Sequence, residues 1–363
     1  MNRDQTLDIL KGIGIILMVV AHSGAPDWLH DSIYTFHMPL FFIASGWFFS
    51  ERNLGDCRGF VFRKMKAVYW PYLKWCIIFL LLHNVFYSVG ILNGFYGANG
   101  VVNNLYNIKE MASHAVDFTF RMTGYEGLLG TYWFLRSLLW GSFLLCFCSA
   151  LLHRVIKLRK QYSILATTAL FGVLGGVLSG FNIHIPYWPQ GGYREMMAVF
   201  FLGMGYFIRK DEWWKSKWWQ IAFLIIIPLS LLIEPTKLST NPTLVMWLLI
   251  PLTGMAGYAL VYKLSNVLAQ RKWKCSMMLS YIGRQTFYIM TFHFLMFKPA
   301  SLLKAYIYGM DWRVIGYHPV IPPDGDNWYW IVYSISSIIL SLALTKVIQC
   351  IPFPKLTVNN KIK

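Results

Sequence analysis

The sequence predicts an all-α fold, a polytopic integral membrane bundle of about ten transmembrane helices with both termini cytoplasmic. Three observations carry this. Of 363 residues, 56% are hydrophobic and only 13% charged, against about 25% charged in an ordinary soluble domain, and the mean hydropathy is +0.46. The apolar residues gather in stretches of about 20, the length of helix that crosses a bilayer core. The basic residues crowd alternate connections between these stretches, as they do in cytoplasmic loops.

In order, the apolar segments are 6–23, 32–50, 67–92, 128–151, 162–180, 193–209, 218–234, 243–266, 277–300 and 328–350. A helix in each satisfies its backbone hydrogen bonds internally, which lipid demands. The first segment has part of the outline of a signal peptide, with Asn2-Arg3 before the run 13–21 and small residues Ser23 and Gly24 after it. Asp8, Lys11 and His22 interrupt it, whereas a signal core is uninterrupted, so it is read as a retained helix.

With residue 1 inside, one set of connections holds Arg3; Arg52, Arg58, Arg63, Lys64 and Lys66; Arg154, Lys157, Arg159 and Lys160; Arg209, Lys210, Lys215 and Lys217; Lys263, Arg271, Lys272 and Lys274; and Lys346, Lys355, Lys361 and Lys363. The opposite set holds Lys109, Arg121, Lys237, Lys298, Lys304 and Arg313. Strict alternation of 22 against 6 supports ten spans. Two outer connections are long, about 93–127 and 301–327; the second carries the turn-rich His318-Pro319-Val320-Ile321-Pro322-Pro323-Asp324-Gly325. Trp213-Trp214 and Trp218-Trp219 read as an interfacial aromatic belt. The chain reads as one transmembrane domain over 1–363 with no separate soluble domain. Its net charge of +17 fits positive-inside loops against membrane lipids better than nucleic acid. The six cysteines lack metal-site spacing, so free thiols and no metal are expected.

Ionisable groups at membrane depth usually mark function or pair with one another. Lys11 and His22 are eleven residues apart, three turns plus about 20°, so both project from one face about 16 Å apart along the axis. Asp8 lies one turn before Lys11 and can pair with it. The competing reading is a snorkelling lysine and a structural histidine. His37 opens the second segment, His293 lies in the outer half of the ninth, and Arg136 and Arg194 fall in outer halves too. Three helices thus place His22, His37 and His293 at comparable depth, which outlines a polar cavity opening outward. His83, on a very apolar helix, reads as structural. An imidazole can accept and return a proton near neutral pH, as acyl transfer to a hydroxyl requires. There is no G-x-S-x-G, no HExxH and no P-loop, so hydrolase, zincin and NTPase readings lack support. At the inner mouth of the third segment, Arg63-Lys64-Met65-Lys66 reads either as a positive-inside anchor or as a seat for an anionic cytosolic ligand such as the phosphates of coenzyme A.

Several of these motifs carry a family resemblance. Asp8-Ile9-Leu10-Lys11-Gly12-Ile13 with ten residues between Lys11 and His22, and His37-Met38-Pro39-Leu40-Phe41-Phe42-Ile43-Ala44-Ser45-Gly46, resemble signatures of the membrane acyltransferase type 3 family. Arg63 to Lys66 with Pro71-Tyr72, Tyr132-Trp133-Phe134-Leu135, and the stretch 280–289 with His293 are similar to its later motifs. Lys11 and Lys66 stand where many members carry arginine, and lysine lacks the bidentate fork. The resemblance implies a ten-helix acetyltransferase of the bacterial cytoplasmic membrane, using acetyl-CoA to modify a cell-envelope polysaccharide or lipid-linked glycan. It implies His22 as base or acyl relay with Lys11 as cationic companion, His37 and His293 beside them, and Arg63, Lys66 and Tyr72 near the donor. Trp133, Arg136 and Arg194 are placed toward the sugar. The rival class is a multi-pass transporter or flippase of lipid-linked sugar, which also needs buried charge and a central cavity.

Overall fold

The computed structural model describes residues 4–98, 101–211, 213–238, 240–271, 273–322 and 328–350. Arg3, Lys272, Lys355, Lys361 and Lys363 of the charge count, the C-terminus, and Pro323, Asp324 and Gly325 of the turn-rich stretch lie outside the described residues. Within them the helices are α1 (Gln5–Ala21), α2 (Asp27–Tyr34), α3 (His37–Gly46), α4 (Cys57–Lys64), α5 (Trp70–Ser88), α6 (Ile108–Val116), α7 (Trp133–Val155), α8 (Lys160–Gly180), α9 (Tyr193–Lys210), α10 (Lys217–Ile233), α11 (Leu244–Arg271), α12 (Lys274–Arg284), α13 (Thr286–Ile307) and α14 (Trp330–Cys350). A small hairpin pairs Gly97 with Val102 and Ala98 with Val101. Among the described residues, five helical runs are long and apolar enough to cross a membrane: Cys57–Ser88, Gly127–Val155, Lys160–Gly180, Leu244–Arg271 and Trp330–Cys350. The chain is therefore a nearly all-helical membrane protein.

Every apolar segment read from the sequence is helical, but three regions depart from that reading. Segment 32–50 breaks at Phe36, so His37 sits at the start of α3 and α2 is a separate short helix. Segment 277–300 breaks at Gln285, where the Thr286 hydroxyl donates to the Gly283 carbonyl at 2.7 Å. The helix then continues to Ile307. Lys298 and Lys304, counted as outer loop cations, are therefore buried helix residues.

The connection 93–127 is also more than a loop. It folds back along α5: Asn84 holds Tyr106 on both its amide atoms at 2.9 Å, and the Tyr72 and Tyr69 hydroxyls donate to the carbonyls of Phe118 (3.2 Å) and Thr119 (2.8 Å). His83 and Tyr72 are about 16 Å apart along a helix, so this segment runs well down the flank of α5. His83 lies between Glu126 (2.7 Å) and the Asn104 carbonyl (2.8 Å) with Tyr106 stacked on it. That is the work of a structural clamp.

α1 is central, packed against α3, α11, α12, α13 and α14. Its N-terminus is capped by Asp4, whose carboxylate accepts from Thr6 N at 2.9 Å. Its approach to α12 is close enough to require glycine: a Cβ on Gly12 would sit 2.2 Å from the Leu279 carbonyl oxygen, and one on Gly283 1.8 Å from that of Asp8. This contact fixes α1 in rotation and height, and with it His22 at its C-terminal end.

Candidate active site

Three histidines from three helices meet at one level. The His22 ring lies 5.4 Å from that of His293. Tyr34 bridges to the third, 6.1 Å from His22 and 4.9 Å from His37. Each imidazole is held through Nδ1 by its own stretch of chain: His22 against Met18 Sδ at 3.1 Å, His37 against the Ile33 carbonyl at 2.9 Å, His293 against the Met290 carbonyl at 2.9 Å. A backbone carbonyl only accepts, so His37 and His293 carry hydrogen on Nδ1 and a lone pair on Nε2. His293 Nε2 is buried with no partner among the described residues. His37 and His293 are buried, while His22 is half-buried.

His22 and His37 open onto a cavity of about 490 Å³. Trp133, Arg194, Lys237, Leu238 and Thr240 also line it, and its floor is built by Ile15, Phe41, Thr286 and Met290. Among the described lining residues there is no carboxylate. The Arg194 guanidinium lies 4.0 Å over the Trp133 ring. Its Nε donates to the Leu238 carbonyl at 3.0 Å and its Nη1 to Gln190 Oε1 at 2.9 Å. All three partners are neutral, so its charge is oriented without being cancelled by them.

Arg136 is set one layer back. It is buried and donates through Nε to Glu195 Oε1 at 3.0 Å and through Nη2 to the same Gln190 oxygen at 2.9 Å. The Ser137 hydroxyl donates to the same Glu195 oxygen at 2.8 Å, while Glu195 Oε2 and Arg136 Nη1 are buried with no partner among the described residues. Gln190 reaches both arginines because Gln190, Gly191 and Gly192 all have positive φ. A Cβ on Gly191 would lie 2.2 Å from His184 Nδ1, so glycine is needed there on both counts. Of the three residues placed toward the sugar, Trp133 and Arg194 face the cavity and Arg136 supports them.

The inner residues are arranged differently. Lys11 sits over the Phe48 ring at 5.5 Å, near the middle of α1 and about 16 Å from His22 along its axis. Arg63 is exposed and turned back onto Asp56 (3.4 Å) and Asn53 (3.2 Å). Lys66 is exposed, and Tyr72 is buried with its hydroxyl on the Phe118 carbonyl. Lys64 is the cation of this stretch that turns inward, with Nζ 3.4 Å from Ser45 Oγ in a small cavity of about 80 Å³ lined also by Phe48. Sequence analysis placed Lys64 in the Arg63–Lys66 run offered as a phosphate seat but singled out Arg63 and Lys66, although the i+1 offset of Lys64 from Arg63 puts it on another helix face.

Two further residues were missed. Lys298 donates to the carbonyls of Ile315 (2.8 Å) and Tyr317 (2.6 Å), and Lys304 to that of Pro322 (3.2 Å). They lash the connection after α13 over the site and set His318 4.5 Å from Phe294, which touches His22 at 5.1 Å and His293 at 4.0 Å. Burial and the charge of Lys298 push the pKa of His318 down to about 3, so it forms a neutral wall. Among the described residues, no group of three or more His, Cys, Asp or Glu is arranged to hold a metal.

The motifs that carry His22, His37, Trp133 and Arg194 to this cavity all fall inside residues 4–346, which match a family model described as an acyltransferase domain. The chain belongs to the membrane acyltransferase type 3 family. It is thus a membrane protein of an acyltransferase family. The chain is 34% identical over 157 residues to the nodulation protein NolL of Sinorhizobium fredii, covering 40% of this chain and 36% of that protein. It is 28% identical over 176 residues to the nodulation protein NolL of Mesorhizobium japonicum, covering 45% of this chain and 38% of that one. The alignments thus span little more than a third of these curated relatives. No solved structure matches the chain.

Proposed function

We propose that this acyltransferase is a ten-span O-acetyltransferase of the bacterial cytoplasmic membrane. It moves acetyl from cytosolic acetyl-CoA to a hydroxyl of a cell-envelope polysaccharide or lipid-linked glycan precursor. The observation that carries the reading is the cavity in which His22 and His37, each oriented through Nδ1, face Trp133 and Arg194. His22 Nε2 takes the proton of the acceptor hydroxyl as its oxygen attacks the thioester carbonyl. The C–S bond breaks, and the departing thiolate recovers that proton as free thiol. His37 and His293 hold the neighbouring walls, and Trp133 offers its face to a sugar ring.

The donor arrives from the inner end. The cavity floor at Ile15 and Phe41 lies about one turn above Lys11 and Ser45 on the same two helices. Lys11, over the Phe48 ring, and Lys64, which lines the same small cavity as Phe48, are the inner cations that the phosphates of coenzyme A meet, with Arg63 and Lys66 on the rim and Tyr72 packed behind. The family membership and the NolL likeness support acyl transfer over the transporter reading.

The test is turnover of acetyl-labelled acetyl-CoA by purified protein in detergent, with envelope glycans from cells with and without the gene compared by mass spectrometry. Label appearing on glycan hydroxyls only with the intact protein supports the reading. Substrate movement without acetyl-CoA consumption refutes it. The topology is tested separately with single cysteines at 151–161 and 181–192, in a background lacking the native six, which should label oppositely with an impermeant reagent. Equal labelling contradicts ten spans.

A further inference from the structure

The inner mouth holds a pair of thiols that the acetyl-transfer reading does not use. Cys57 opens α4 and Cys146 lies in α7, 89 residues further on, yet their Sγ atoms are 3.7 Å apart. Both converge on one short piece of chain, the 3-10 turn Glu51–Leu54. Cys57 Sγ donates to the Leu54 carbonyl at 3.7 Å and Cys146 Sγ to the Asn53 carbonyl at 3.5 Å. Arg154 Nη2 donates to that same Leu54 carbonyl at 3.5 Å, and Lys210 of α9 holds Glu51 at 2.7 Å. The turn is thus pinned to α7 and α9. Against a bonded length of about 2.05 Å, the two sulfurs need to approach by only about 1.7 Å.

The two thiols differ in access. Cys146 is buried and Cys57 half-buried. Cys57 lines an open hollow of about 560 Å³ with Asp56, Arg58 and Arg154, and Cys146 does not line it. One sulfur can therefore meet a reagent, and the other is placed to resolve what forms on it. The pair also adjoins the Lys64 cavity of about 80 Å³. Phe60 and Lys64 follow Cys57 by three and seven residues on α4, Ser142 precedes Cys146 by four on α7, and all three line that cavity. Drawing the start of α4 toward α7 acts on both of its walls.

We propose that Cys57 and Cys146 form a reversible dithiol modification site, oxidised by a small-molecule disulfide and controlling the seat of the donor phosphates. Its effect on the donor rests on the acetyltransferase reading. The Cys57 thiolate attacks one sulfur of the disulfide RSSR, forming Cys57–S–S–R and releasing RS⁻, which takes up the proton Cys57 lost. The Cys146 thiolate then attacks Cys57 Sγ. The mixed disulfide breaks, and the second RS⁻ leaves with the Cys146 proton. Two thiols are oxidised and one RSSR is reduced to two RSH, so no other oxidant is needed. Arg58 and Arg154 outnumber Asp56 at the hollow and favour an anionic disulfide of the glutathione type. In a compartment that keeps thiols reduced, such a bond forms when the thiol pool turns oxidising and opens when it recovers.

The test incubates full-length protein in nanodiscs with glutathione disulfide, alkylates the remaining thiols and reads protein and peptide masses. A peptide pair joining Cys57 to Cys146, lighter by two hydrogens and reversed by dithiothreitol, is expected. The oxidised protein should bind acetyl-CoA about tenfold more weakly than the reduced one, the size of losing the Lys64 contact. Cys57→Ser should abolish the bond and the effect while binding donor as reduced wild type does. Cys146→Ser should stop at a glutathione adduct on Cys57, and Cys146→Ala gives the same readout should the serine variant fail to fold at that buried position. A stable adduct on wild-type Cys57 without the internal bond, no reaction at either thiol, or a bond that leaves acetyl-CoA affinity unchanged would overturn the proposal. The covalent step is read with no donor present. Reduced protein that binds no acetyl-CoA would instead refute the acetyltransferase reading.

Discussion

The outer cavity and the inner mouth use polar residues in opposite ways. Around His22 the reactive rings and Arg194 are held: three imidazoles by Nδ1, Arg194 by a carbonyl, an amide oxygen and an indole face. At the inner mouth, Arg63 and Lys66 are exposed, Arg63 with contacts to Asp56 and Asn53, while Lys64 turns into the protein beside Ser45. A site built to orient reacting atoms needs fixed geometry; a rim that gathers phosphates needs only point charges. The difference teaches that substitutions at the outer end should strike rate and fold, and those at the inner rim mainly donor affinity.

The largest effect is expected at His22. His22→Ala should lower the maximal acetyl transfer rate by about 10²–10⁴, the usual worth of a positioned base, in protein that still binds donor in a filtration assay. His22→Asn keeps polarity and should be nearly as damaging. Graded, partial losses are expected for His37→Ala and His293→Ala.

Next in size is the buried pair behind Arg194. Glu195→Ala leaves the Arg136 guanidinium uncompensated, a change that costs about 3–5 kcal/mol for buried pairs. A clear fall in the unfolding midpoint in detergent should follow. An unchanged midpoint would mean that the pair does not organise the cavity wall.

Lys298→Met should act more locally. It strips two carbonyls of their partner at about 1–3 kcal/mol for a buried unsatisfied group and frees the His318 wall. The acceptor KM should rise while the donor KM holds. A change in donor KM alone would detach this loop from the acceptor side.

The smallest effects belong to the rim. Arg63→Ala with Lys66→Ala should raise the donor KM about threefold, within the range of exposed charge contacts. Lys64→Met should raise it about tenfold, because a turned-in cation makes stronger charge-assisted contacts. The reverse order would break the contrast between oriented and diffuse charge.

Much of this was legible in the sequence, for identifiable reasons. Apolar stretches of spanning length mark helices whatever surrounds them, and the eleven-residue offset of Lys11 and His22 reports one face from periodicity alone. The shared depth of His22, His37 and His293 followed from chain direction. What was illegible depends on contacts far apart in sequence. Glu195 was not singled out, because nothing near it in sequence announces that Arg136, on another helix, donates to it. Lys298 and Lys304 looked like outer loop cations because nothing local says that α13 continues past them into carbonyls of the next connection. The descent of residues 104–122 along α5 was not legible, because the side chain to backbone bonds that tie its two ends to α5 join residues far apart in sequence, on either side of the short helix α6. Gln190 could be suspected only from the two glycines that follow it.

The central claim is that acetyl transfer takes place in the His22 cavity with the donor entering from the Lys11 and Lys64 end. A cryo-electron-microscopy structure of the protein with a non-hydrolysable acetyl-CoA analogue tests it most directly. The account predicts the phosphates beside Lys11 and Lys64 and the acyl carbonyl in the cavity between Phe41 and His22, with room for a hydroxyl oxygen about 3–3.5 Å from the carbonyl carbon. An analogue bound with its acyl end outside that cavity, or with its phosphates at the Arg194 end, would contradict it.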